Sequence, residues 1–124
     1  MKELTILLAE DDELSQKVTT FYLKRFGHEV DIAKNGHEAV KSFKEKKYDL
    51  ILMDIQMPEM DGLQATKEIR RIETDYPEKG HTSIIAITTN PDKVLIFKAG
   101  MDGYTQKPFN FNGLNTLLSD NKLI

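Results

Sequence analysis

The chain has 124 residues, with 17 Lys and Arg against 20 Asp and Glu, a net charge of −3, 40% hydrophobic residues and no cysteine. That size and apolar content suit one domain with a real core, residues 1–124. The missing cysteines exclude disulfides and thiolate chemistry, and the lack of a clustered basic face argues against direct nucleic-acid binding.

Apolar runs such as Leu50 to Met53 fall far short of the roughly 20 residues of a membrane span. The charged start "MKELTILLAEDD" does not suit a secretion signal. A cytoplasmic location without membrane contact is therefore expected.

In chain order, "LTILLA" (4–9) predicts a first strand. Leu14, Val18, Phe21, Tyr22 and Phe26 then recur at helical spacing, with Asp12 as the cap and Gly27 as the stop. "EVDIA" (29–33) alternates like a half-buried strand. "HEAVKSFKEKK" (37–47) follows with Asn35 and Glu38 placed as a capping box. "DLILMD" (49–54) predicts a third strand ending on Asp54. Asp61-Gly62 opens a third helix carrying Leu63, Thr66, Ile69 and Ile72. "SIIAIT" (83–88) is the fourth strand. Asn90-Pro91 reads as a cap followed by a first-turn proline for a fourth helix near 92–99. "GYTQ" (103–106) is the fifth strand, and a last helix is expected over about 112–119. His28, His37 and His81 have no partner motif and read as solvated.

Strands alternating with helices imply an α/β fold with a parallel sheet covered on both faces. Ligands in such sheets collect outside the carboxyl ends of the strands. Those ends carry Glu10, Asp11 and Asp12 after the first strand, Asp54 on the third, Thr88 and Thr89 on the fourth, and Lys107 past the fifth. Adjoining carboxylates repel one another unless something offsets their charge, and a hard divalent cation does so. With a lysine and a hydroxyl added, the set has the parts of phosphoryl transfer: a carboxylate nucleophile and cationic groups for the phosphoryl oxygens. Asp54 taken alone would be a strand-end cap, Thr88 a β-branched strand residue, and Tyr104 a half-buried aromatic. Asp12 and Asp61 read as helix caps.

"LLAEDDE", "LILMDIQMPEMDG", "IIAITT" and "AGMDGYTQKPF", in that order, resemble the receiver domain of two-component response regulators over nearly the whole chain. The wording around Asp54 and "EDDELSQK" is most similar to receivers of hybrid sensor kinases. The resemblance implies a flavodoxin-like, doubly wound five-stranded sheet in the order 2-1-3-4-5. It implies a phosphoacceptor switch rather than an enzyme, with at most slow autophosphatase activity. Asp54 would take a phosphoryl group from a histidine kinase or a histidine phosphotransfer protein. Asp11, Asp54 and the Gln56 backbone carbonyl would ligate Mg²⁺ (or Mn²⁺), with Glu10 acting through water. Thr88 and Lys107 would hold the phosphoryl oxygens, Tyr104 would switch rotamer, and the Lys107–Pro108 peptide would be cis.

Two other functions compete. A degenerate receiver would be a phosphorylation-independent binding module. An aspartyl-phosphate phosphohydrolase would need an acid two residues after the nucleophile, where this chain has Gln56. The stretch from Thr88 to Lys107 is about one helical turn shorter than the family pattern, so the fourth helix should be stunted. Its "VLIF" (Val94, Leu95, Ile96, Phe97) is apolar on every side and is expected to contribute to a dimer or output-partner contact. The chain is either a stand-alone receiver or a piece of a longer protein.

Overall fold

The alternation of apolar runs and helical patterns carries straight into three dimensions. The computed structural model describes residues 3–107 and 111–123. Its elements are β1 (Thr5–Ala9), α1 (Glu13–Arg25), β2 (Glu29–Ala33), α2 (Gly36–Glu45), β3 (Leu50–Asp54), α3 (Gly62–Asp75), a 3₁₀ turn (Pro77–Lys79), β4 (Ser83–Thr88), α4 (Lys93–Ala99), β5 (Gly103–Gln106) and α5 (Phe111–Asp120). The strands pair in parallel in the order β2-β1-β3-β4-β5, as the resemblance implied. The Lys107–Pro108 peptide lies outside the described residues.

Side chains alternate across a strand, and each face of the sheet has its own core. Leu7, Ala9, Ile51, Met53, Ile84 and Ala86 pack with Phe43 of α2, Ile69 of α3 and Ile96 of α4. Leu4, Ile6, Leu8, Leu50, Leu52, Ile85 and Ile87 pack with Leu23 of α1 and with Leu114 and Leu118 of α5. β3 is central and buried along its whole length, so the carboxylate that ends it is delivered at the middle of the sheet's edge.

The caps largely follow the sequence. Asp12 accepts from the Ser15 N–H at 2.8 Å. Asn35 accepts from Glu38 at 2.9 Å, but Glu38 reaches back to the Lys34 N–H rather than to Asn35. The reciprocal capping box belongs instead to Asp61 and Gln64. α4 is short, as expected, but its cap is Asp92, which accepts from Leu95 at 3.2 Å. Asn90 and Pro91 thus precede the helix. α4 ends on Gly100, whose φ of +104° is the left-handed region that glycine occupies without strain.

Three readings change. The apolar row of α1 is split: Tyr22 and Phe26 pack against the core, but Leu14, Val18 and Phe21 are 70%, 44% and 57% exposed, while Gln16, Thr19 and Leu23 are buried. Both rows fit helical spacing, and hydrophobicity alone selects the wrong one. On α4, Val94, Leu95 and Phe97 are exposed but Ile96 is fully buried, so Ile96 belongs to the core and not to a contact surface. His28 is not solvated. It is buried, its Nδ1 accepts from the Leu4 N–H at 3.0 Å, and burial lowers its pKa. His81 is exposed but pairs with Asp102 at 2.7 Å.

Candidate functional site

β1, β3 and β4 end side by side, and each contributes to one edge. Past β1, the Glu10 N–H still donates to Ala33 of β2 at 2.9 Å, which holds Glu10 inside the sheet's end. Its side chain is almost wholly buried, as is that of Asp54, while Asp11 is exposed. Lys107 is placed by its own N–H, which donates to the Thr88 carbonyl at 2.7 Å and extends the β4–β5 pairing. α3 approaches closely because its first residue is glycine: a Cβ on Gly62 would lie 2.2 Å from the Asp54 carbonyl oxygen.

The fold therefore brings together residues that are up to 97 positions apart. Lys107 Nζ donates to Glu10 Oε1 at 2.5 Å and to Asp54 Oδ2 at 3.1 Å. The other Asp54 oxygen accepts from the Gln56 N–H at 3.3 Å. Glu10, Asp11 and Asp54 each offer a carboxylate oxygen, and these oxygens lie within 4.8 Å of one another. They line an open cavity of about 210 Å³ with Asp12, Gln56, Thr88, Thr89 and Lys107. Thr88 Oγ1 accepts from the Asn90 N–H at 3.2 Å, and the Thr89 carbonyl accepts from Gln106 Nε2 at 3.2 Å.

Three carboxylates against one ammonium leave surplus negative charge. Burial, then the nearby Asp54, push the Glu10 carboxyl above its usual range. For Lys107, burial opposes the charge, but the hydrogen bond it donates to Glu10 and the charge of Asp54 prevail, and its pKa is raised. Asp12 stands apart: hydrogen bonds from the Ser15 backbone N–H, then from its side chain, lower its pKa, which fits a helix cap. The donor set fits Mg²⁺, a cation that takes oxygen ligands and is held by one or two carboxylates plus waters.

Tyr104 does not reach this cavity. It is half-buried on β5 and packs edge-on against Phe97, with ring centroids 6.3 Å apart, and Lys93 Nζ lies 5.6 Å from its ring. A larger cavity of about 440 Å³ lies between α2 and α3, lined by Lys44, Arg71, Ile72, Asp75, Tyr76 and Lys79. Arg71 there is already paired with Glu68 and Asp75, and the lining holds no acid pair beside a nucleophile.

Sequence reasoning missed Gln16, whose Nε2 donates to the Glu10 carbonyl at 2.6 Å. The available signal was a glutamine on the same helical row as Leu23. It also missed Arg70, a charged residue in the middle of α3 that is bonded on every side.

Residues 6–119 match the family model described as the response regulator receiver domain. Among curated proteins, the chain is 42% identical over 113 residues to hybrid signal transduction histidine kinase I of Dictyostelium discoideum, covering 85% of this chain and 6% of that protein. It is 37% identical over 117 residues to the aerobic respiration control sensor protein ArcB of Escherichia coli, covering 93% of this chain and 15% of that protein. The chain thus spans a small part of these relatives. Among solved structures, the receiver domain of sensor histidine kinase PA1611 from Pseudomonas aeruginosa, with a magnesium ion coordinated in its active-site cleft, matches with a TM-score of 0.84 and 35% identity, covering 96% of this chain and 97% of that one. The receiver domain of Saccharomyces cerevisiae Ssk1, solved with the histidine phosphotransfer protein Ypd1, matches with a TM-score of 0.86 and 28% identity, covering 95% and 88%.

Proposed function

The chain belongs to the response regulator receiver domain family of two-component phosphorelay signalling, and from that premise we propose that Asp54 is its phosphoacceptor. The observation that carries this is the Asp54 carboxylate at the end of β3, with one oxygen on Lys107 and Glu10 and Asp11 across a shared open mouth.

In the reaction an Asp54 oxygen attacks the phosphorus of a phosphohistidine. The O–P bond forms, the P–N bond breaks, and the imidazole leaves with the electron pair. Lys107, already hydrogen-bonded to Asp54, offsets charge on the transferred oxygens. Mg²⁺ or Mn²⁺ would be held by Asp11, Asp54 and the Gln56 carbonyl, with Glu10 through water, and would neutralise charge on the phosphoryl group. Thr88 exchanges its contact with the Asn90 N–H for one to a phosphoryl oxygen. The β4–α4 loop moves with it, and Tyr104, packed on Phe97, follows. Gln56 has no proton to give as a general acid, so hydrolysis of the product is at most slow.

The donor is a histidine kinase or a histidine phosphotransfer protein. The exposed apolar row Leu14, Val18 and Phe21 runs along α1 from beside Asp11 and Asp12 and provides its docking face. The likeness to a receiver solved with a phosphotransfer protein supports this pairing. Val94, Leu95 and Phe97 of α4 form a second apolar face, the contact for an output partner or a second copy. Residues 1–124 act as one receiver domain in the cytoplasm, without direct nucleic-acid or membrane contact; none of the described helices is long and apolar enough to cross a bilayer.

The test is incubation with acetyl phosphate and Mg²⁺ followed by intact mass. One labile phosphoryl adduct is expected, and Asp54→Asn should abolish it. Wild-type protein that never acquires the adduct would instead be a degenerate receiver that only binds.

A further inference from the structure

We propose that Gln16 is a positioning residue for the acid pair: its side-chain amide fixes the peptide between Glu10 and Asp11 and thereby sets the cation affinity of the site. This rests on the reading of the site given above.

Glu10 and Asp11 flank one planar peptide unit, so a displacement of that unit moves both of the Cα atoms that carry the carboxylates. The preceding peptide is already tied, because the Glu10 N–H donates to Ala33 at 2.9 Å. The Glu10 carbonyl has left the strand ladder, since β1 ends at Ala9. No backbone N–H reaches it among the described residues. Gln16 Nε2 does, at 2.6 Å. The interaction is buried: Gln16 is 8% exposed and Glu10 1%. A glutamine on the sheet-facing row of α1, beside Thr19 and Leu23, is unfavourable there unless its amide is satisfied. A buried carbonyl without a donor is unfavourable too. The bond answers both needs and locks the peptide from the helix side.

Asp12 completes the frame. Its N–H donates to Glu10 Oε2 at 3.3 Å, and its carbonyl accepts from the Gln16 N–H at 2.9 Å. Gln16 thus holds the loop at two points, with its backbone on Asp12 and its side chain on Glu10. Groups that orient ligands in this way typically change metal affinity by 10–100-fold when lost.

The experiment is a Mg²⁺ titration of the whole chain by amide NMR, with thermal melts of the same samples. Gln16→Met keeps the length and loses the donor. Its Mg²⁺ Kd should rise about tenfold or more. Thr19→Ala, on the same buried row, should lower the melting temperature and leave the Kd unchanged. An unchanged Kd in Gln16→Met, or an equal rise in Thr19→Ala, overturns the proposal. If Gln16→Met does not fold, the wild-type Gln16 side-chain amide decides: it should shift with the same Mg²⁺ midpoint as the Asp11 amide, and a silent Gln16 amide overturns the idea. Wild type that binds no Mg²⁺ at all would defeat the phosphoacceptor reading itself, a result distinct from either of these.

Discussion

The two edges of the sheet use charge in opposite ways. At the amino edge, polar side chains are consumed in holding strand starts. Asp49 accepts from the Thr5 N–H, Asp102 from Ile84 and Glu73 from Thr82, each at 2.7–2.8 Å, and His28 accepts from Leu4 at 3.0 Å. Arg70 ties this edge together by donating to the Gly100 and Thr82 carbonyls and to Glu73 and Asp102, all at 2.7–2.8 Å. One guanidinium faces two carboxylates there, and the backbone completes the oxygens' hydrogen bonds. At the carboxyl edge one ammonium faces three carboxylates whose oxygens open onto a cavity. A cluster with every bond filled is structural. The larger surplus of carboxylates at the carboxyl edge suits the divalent cation proposed above.

The largest effect should come from the satisfied edge. Arg70→Ala would strand Glu73, whose side chain is 7% exposed, and Asp102 without their cation. A loss of about 3 kcal/mol is expected, the scale for removing one partner of a buried pair, measured by urea denaturation. Phosphorylation of the protein that remains folded should persist. A loss well under 1 kcal/mol would show that the amino edge is no better satisfied than an ordinary surface pair.

Neutralising one carboxylate at each edge should give opposite signs. In chelator, Asp54→Asn relieves like-charge repulsion and should stabilise the fold by about 1 kcal/mol, the scale of two unit charges near 4 Å in a watery dielectric. Asp102→Asn removes a partner of Arg70 and should destabilise by about 1–2 kcal/mol. Mg²⁺ should raise the wild-type melting temperature and leave that of Asp54→Asn nearly unchanged. If both substitutions destabilise in chelator, the carboxyl edge carries no surplus charge.

The pH dependence of that edge follows from Glu10. Its folded pKa lies above the ordinary 4.5 because of burial and Asp54. The folded state therefore holds the proton more tightly than the unfolded chain. The resulting stability is full below 4.5 and is lost as the pH rises through the folded value. In chelator, Glu10→Gln should flatten this slope, and Mg²⁺ should flatten it in wild type by favouring the ionised carboxylates. Denaturation midpoints across the acid range test both.

Most of the carboxyl edge was legible in the sequence, because parallel strands place their last residues together and those residues were Glu10, Asp54, Thr88 and nearby Lys107. The amino edge was not. Arg70, Glu73, His81 and Asp102 look like ordinary surface charges, and only the packing of α3 against the starts of β4 and β5 makes them one network. The facing of α1 was hidden for a related reason. Leu14-Val18-Phe21 and Gln16-Thr19-Leu23 are equally good helical rows, and a single polar anchor on Glu10 goes with the less hydrophobic one. At α4, Asn90-Pro91 had the right local chemistry for a start, but the Gln106 bond to the Thr89 carbonyl holds that loop on β5, and the helix begins only after Asp92.

His28 gives the smallest effect and the finest contrast between the edges. It is buried at the start of β2, its Nδ1 is occupied by the Leu4 N–H, and its Nε2 has no hydrogen-bond partner among the described residues. Charging it would place an imidazolium where Nδ1 can no longer accept from Leu4, and burial lowers its folded pKa below the ordinary 6.5. The unfolded chain then takes up the proton first. The stability from His28 is full above 6.5 and declines as the pH falls through 6.5 toward the folded value, the reverse of Glu10. Measured with Mg²⁺ present to silence the carboxyl edge, the wild-type denaturation midpoint should fall between neutral and mildly acidic pH. His28→Gln, which keeps an acceptor for Leu4 but cannot titrate, should lose less over the same interval. Equal pH slopes in the two proteins would mean that protonation at the amino edge is as harmless as at the carboxyl edge, and the contrast between a filled edge and an open one would fail at its simplest residue.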